Sequence, residues 1–135
     1  MRIRDKIEEI EIYLEEFESI IPETFEEYES DIVKKAACER YAEKIIEAIV
    51  DLAFLVIKEK SFRKPEDDKQ TFDILYENKL INLELCNKLK NAKGMRNILA
   101  HEYGKIDDEI VFESITNELR KDAKEFLDFI ENSLK

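Results

Sequence analysis

An all-α protein, an antiparallel bundle of four to five helices in one domain, is what the 135 residues predict. Two observations carry that expectation. The chain holds 2 glycines and 2 prolines, too few to punctuate the short strands of a β-sandwich or barrel. Its residues are 44% hydrophobic and 41% charged, and the apolar ones recur at spacings of three and four. That is the period of a helix that buries one stripe and solvates the rest. A chain of this length buries one core rather than two.

The elements follow in order. Ile3, Ile7, Ile10, Leu14, Phe17 and Ile21 form one stripe among acidic residues, so a first helix runs to Pro22, whose ring and missing N–H stop it. The stripe spans under three heptads and reads as core rather than coiled coil. Thr24 and Glu27 make a capping box, so a short turn over 24–29 precedes a long second helix over 31–60. Its inward positions are Ile32, Ala36, Ala37, Tyr41, Ile45, Ile46, Ile49, Leu52, Ala53 and Val56. Residues 53–57 are apolar on most sides, which calls for more than one neighbour, in the bundle or at an oligomer interface. Residues 61–64 are a basic loop. Pro65 suits the opening of a third helix over 66–77, with Phe72, Leu75 and Tyr76 inward. Asn82 caps a fourth, with Leu83, Leu85, Cys86 and Leu89 inward. A short helix over 95–103 ends at a Gly104 cap. A last helix over 108–133 carries the stripe Ile110, Ile115, Leu119, Ala123, Phe126, Leu127 and Ile130.

The formal net charge is −11, which argues against a general nucleic-acid coat. The charge is unevenly spread. Residues 1–31 hold 3 basic and 12 acidic residues, whereas residues 86–105 hold 5 and 1. Cys38 and Cys86 lie in apolar helical patterns without CxxC or Cys/His metal spacing, so they read as buried thiols in a reducing compartment. The start shows no apolar signal region, and the longest apolar run, residues 53–57, is far short of a membrane span. The expected location is the cytoplasm, with no membrane contact. Plentiful Lys, Glu and Ile beside one glutamine, Gln70, lean toward a heat-stable protein.

The rare residues converge on residues 93–104. His101 is the only histidine, and Gly94 and Gly104, the only glycines, bracket it. Arg96 is a permanent cation with a planar fork suited to phosphate. His101 is the side chain whose ordinary pKa suits proton transfer near neutrality. Asn97 precedes His101 by one turn on the same face and suits a supporting hydrogen bond. Composition alone gives Arg five before, Asn four before and Tyr two after a sole histidine on the order of once in 10⁴. On an ideal helix Arg96 lies about 140° from His101. Either the helix is distorted at His101, or a second copy completes the site across a two-fold axis. No Glu-x-x-His pair occurs, which removes the di-metal carboxylate bundles. No metal and no cofactor is called for.

The pattern Arg96-Asn97-x-x-x-His101-x-Tyr103 resembles the R-x4-H-x-Y signature of the HepT branch of the HEPN superfamily. The resemblance extends over roughly residues 30–110, through Glu39-Arg40, Ile45-Ile46-Glu47-Ala48, the lead-in over 81–89 and Ile106-Asp107. It implies a helical homodimer whose Arg96 and His101 form a metal-independent ribonuclease site at the dimer cleft. Arg96 would steady phosphoryl charge, and His101 would serve as general base or acid for attack by the RNA 2′-hydroxyl. Asn97 would orient. Tyr103 would accept AMP from a partner nucleotidyltransferase antitoxin of the MntA type, silencing the toxin of a type VII pair. Lys58, Lys60, Arg63, Lys64, Lys88, Lys90, Lys93 and Lys105 would supply cations for RNA. Arg40 and Glu47 would support the site. The alternative is a non-catalytic helical subunit that binds and regulates such a nucleotidyltransferase.

Overall fold

The computed structural model describes residues 2–101 and 108–135, and of residues 96–101 it describes the backbone. Among the described residues every regular element is helical: α1 (Arg2–Ile20), α2 (Phe25–Ser30), α3 (Ile32–Glu59), α4 (Asp68–Glu77), α5 (Leu83–His101), α6 (Asp108–Glu113) and α7 (Leu119–Ser133). A π-helical turn, Ser114–Glu118, joins α6 to α7 as one rod.

The sequence sets most of these ends. Thr24 Oγ1 accepts from the Glu27 amide at 3.2 Å and opens α2. Asp31 Oδ1 accepts from the amides of Val33 and Lys34 and opens α3. Asn82 Oδ1 accepts from the Leu85 amide at 2.8 Å and opens α5. The third helix departs from expectation. Its cap is Asp67, whose Oδ1 accepts from the Gln70 amide at 2.8 Å, so α4 begins at Asp68 and Pro65 stays outside it. A side-chain acceptor outweighs a pre-set φ at the first turn.

α1 lies antiparallel to α3: Phe17 stacks on Tyr41 and Lys6 reaches Asp51. α5 lies antiparallel to α4, through Lys90 to Asp73 and Lys93 to Asp68. It also lies antiparallel to α7, with Lys88 facing Asp122. The core is Ile7, Ile10, Leu14 and Phe17 of α1 against Ile45, Ile49, Leu52 and Val56 of α3, closed by Phe72, Leu85, Leu89 and Phe126. Each such large apolar side chain contributes roughly 1.5–3 kcal/mol by leaving water.

Several inward assignments need correction. Ile32 is 80% exposed and Ala36 is exposed, while Cys38 and Ala42 are buried in their place. Leu83 and Tyr76 are exposed, and Ile74 is buried instead of Tyr76. Ile110 is 60% exposed, and its neighbour Val111 takes the core position. The apolar run in α3 divides: Ala53, Val56 and Ile57 are buried, and Phe54 faces outward.

Candidate active site

Residues 83–101 form one unbroken helix, so the separate helix expected over 95–103 is the end of α5. Gly94 lies inside it. A Cβ there would meet the Lys69 amine at 3.8 Å, an ordinary contact, so neither a turn nor a close approach explains this glycine. Arg96, Asn97 and His101 occupy the last turns of α5. Tyr103, Gly104 and Lys105 lie outside the described residues. The helical register puts Arg96 one turn after Ala92 and about 140° around the axis from His101.

Two sets of contacts flank this helix end. From α4, the Asp73 carboxylate accepts from Lys90 Nζ at 2.9 and 3.3 Å and from the Cys86 thiol at 3.6 Å. Asp68 pairs with Lys93 at 3.0 Å. Beyond residue 107, Lys35 Nζ of α3 donates to Asp108 Oδ2 at 2.8 Å and pins the start of α6. One turn along α3, Glu39 Oε2 accepts from the Tyr28 hydroxyl at 2.9 Å. Tyr28 is fully buried against Phe25 and Phe112. Burial, reinforced by the Glu39 charge, pushes its hydroxyl far above the ordinary tyrosine range. Lys35 and Glu39 of α3 therefore hold both α2 and α6. Nothing in the spacing of those residues marked Lys35 for this task. Arg40 is exposed and ion-paired with Glu43 at 3.2 Å.

Most of the expected RNA-facing cations are already engaged. Arg63 donates twice to Glu77, at 3.1 and 2.8 Å. Lys60 donates to the Ser133 carbonyl. Lys88 pairs with Glu84 at 3.1 Å, and Lys90 and Lys93 pair with α4 as described. Cys38 and Cys86 are buried, and burial pushes both thiols up to about 11, so neither is a nucleophile at neutral pH. Among the described residues, no three His, Cys, Asp or Glu side chains gather as a metal site, and no helix is long and apolar enough to cross a membrane.

Beside the motif-bearing end of α5 lies a cleft of about 140 Å³. One wall is α5, through Lys88, Asn91 and Met95. The other is the π turn and the start of α7, through Ser114 and Asp122, and Ile46 of α3 lies between them. The Asp122 side chain is 9% exposed, and Lys88 Nζ stands 3.9 Å from its Oδ1. Burial holds this carboxyl above the ordinary aspartate range, with Lys88 opposing.

The helices pack as an all-α bundle with Arg96 and His101 in the final turns of α5. The family description "Ribonuclease HepT-like" matches residues 10–132, and the chain belongs to the HepT-like ribonuclease family. A putative RNase of Archaeoglobus fulgidus is 32% identical over 90 residues, 67% of each chain. The mRNA nuclease HepT of Shewanella oneidensis is 30% identical over 88 residues, 65% of each chain. The match thus spans about two thirds of the length of these relatives. Among solved structures, the tri-AMPylated Shewanella oneidensis HEPN toxin in complex with MNT antitoxin superposes with a TM-score of 0.88 over 96% of both chains, at 24% identity. That likeness establishes the fold.

Proposed function

We propose that this protein is a metal-independent endoribonuclease toxin that acts in the cytoplasm as a homodimer. A minimal nucleotidyltransferase antitoxin of the MntA type neutralises it. The observation that carries the reading is the family match over residues 10–132, with Arg96, Asn97 and His101 on the final turns of an unbroken α5. His101 takes the proton of an RNA 2′-hydroxyl as it attacks the adjacent phosphorus, or returns one to the departing 5′-oxygen. Arg96 neutralises the charge that builds on the phosphoryl oxygens. Asn97 orients one of them. The unbroken helix supports a two-copy site. With about 140° between Arg96 and His101 on one helix, facing copies of α5 let each chain complete the other's site. Tyr103 is the AMP acceptor. An added anionic nucleotide two residues from His101 occupies the RNA path and opposes Arg96.

The test pairs wild type with His101→Ala on RNA in the presence of a chelator, with mass spectrometry of Tyr103 on the same samples. Chelator-insensitive cleavage by wild type alone supports the reading. The pairing of Lys88, Lys90 and Lys93 with carboxylates favours a second reading, a regulatory subunit that cuts nothing. Failure of wild type lacking AMP to cleave any of a broad RNA panel selects that one.

A further inference from the structure

The cleft between α5 and the π turn contains a buried acceptor that, among the described residues, receives no hydrogen bond. Asp122 is 9% exposed at its side chain, and among the described residues its one ion-pair partner is Lys88, at 3.9 Å, with Glu118 and Glu125 adding repulsion. That separation is beyond a hydrogen bond. Buried side-chain acceptors are nearly always bonded, so an orphan on a cleft wall points to a donor brought by a ligand. The walls suit a flat ring: Ile46, Met95 and Ile115 supply apolar surface, and Lys88, Asn91 and Asp122 supply polar groups. The volume, about 140 Å³, is the scale of a cavity that holds one benzene-sized ring (about 150 Å³). The α5 wall carries Lys88 and Ala92, and Arg96 follows Ala92 by one turn. A ring in the cleft therefore sits beside the helix end that bears the motif.

We infer that this cleft is a base subsite that takes the amino edge of a cytosine in single-stranded RNA, an inference that rests on the ribonuclease reading. The exocyclic amine of cytosine donates to the Asp122 carboxylate. Its neighbouring ring nitrogen accepts from Lys88. Uracil presents a carbonyl oxygen where cytosine has the amine, and that oxygen faces the carboxylate lone pairs. Purines present a second ring that the volume does not enclose. Bases splayed from single strands are read on this edge.

The test separates binding from cutting. Two 2′-O-methyl hexanucleotides, which lack the attacking hydroxyl, are titrated into the protein: hexauridine, and the same strand with one central cytosine. Binding is followed by the NMR shifts of the Met95 methyl. Expected is at least about tenfold tighter binding of the cytosine strand, moving the Met95 signal, and loss of that preference in Asp122→Asn. Equal binding of both strands by wild type, or a preference that Asp122→Asn retains, overturns the subsite. Tighter binding of a strand with a central adenine overturns the single-ring assignment. Cytosine preference in a protein that cleaves no RNA leaves the cleft standing and removes the ribonuclease reading instead.

Discussion

Asp122→Asn should stabilise the protein at neutral pH. An unsatisfied buried acceptor costs about 1–3 kcal/mol. Lys88 returns only part of this, because its ammonium is partly exposed and also lies 3.1 Å from Glu84. A shared, solvated partner of that kind contributes about 0.2–1 kcal/mol. Glu118 and Glu125 add repulsion, and Lys121 a little attraction. The charge is therefore a net cost, and an amide of the same shape removes it while still wanting partners. The expected gain is about 1 kcal/mol, or roughly 3–5 °C in Tm for a domain of this size. The pH dependence has a definite sign. The carboxyl titrates higher in the folded state than its ordinary value of 3.8, so the folded state binds the proton more tightly. Wild type therefore recovers stability as pH falls through the folded pKa toward 3.8, and the gap to Asp122→Asn narrows. Urea unfolding of both proteins at neutral pH and at about pH 4.5 reads this directly. A variant less stable than wild type at neutral pH, or a gap that widens on acidification, refutes the orphan-acceptor argument.

Other expectations follow from the same contacts. Gly94→Ala should add about 0.5–1 kcal/mol, because the position is helical and the new methyl meets only the Lys69 amine at 3.8 Å; a loss in chemical unfolding would show a constraint at this turn. Tyr28→Phe should cost about 1–1.5 kcal/mol through the lost bond to Glu39, a half-exposed acceptor that water can reach, and an unchanged unfolding midpoint would contradict this. Phe126→Ala, which empties a fully buried site edge-on to Phe72, should cost about 3–5 kcal/mol, read by the same unfolding assay. Arg96→Ala and His101→Ala should each abolish RNA cleavage while leaving circular dichroism and the oligomer size by light scattering unchanged. The Lys-, Glu- and Ile-rich composition predicts a Tm above about 65 °C; calorimetry giving a mesophile value removes that reading.

Periodicity exposed the bundle wherever a helix had one well-defined face. Ile7, Ile10, Leu14 and Phe17 alternate at three and four and are all buried. The misses have local causes. Ile32 and Leu83 are the first residues of α3 and α5, where side chains lean back past the helix end and find no neighbour to cover them. Val111, Ile115 and Leu119 are spaced four and four. On an ideal helix each step drifts about 40° around the axis, which made Ile110 look as eligible as Val111. The π turn takes up that drift with its larger number of residues per turn, and Thr116 Oγ1 donates from it to the Phe112 carbonyl of α6. A run of fours was the available signal, but it is also what a slowly twisting α-helical stripe looks like.

The chemistry divides in the same way. Arg96, Asn97 and His101 stood out because rare residue types crowd one turn and a half of helix, a property of the chain itself. Asp122 did not. In sequence it is one more acid on an acidic helix, and residues 106–135 hold nine of them. It becomes distinctive only when α7 lies antiparallel to α5 and Lys88 stops 3.9 Å short of it. The cleft it lines draws on α3, α5 and the continuous rod of the π turn and α7, three stretches far apart in the chain. A helical pattern reports which face of its own helix is apolar. It is silent on which polar group a second helix will bury short of a hydrogen bond, and in this protein that second kind of fact is the one that marks the proposed base subsite.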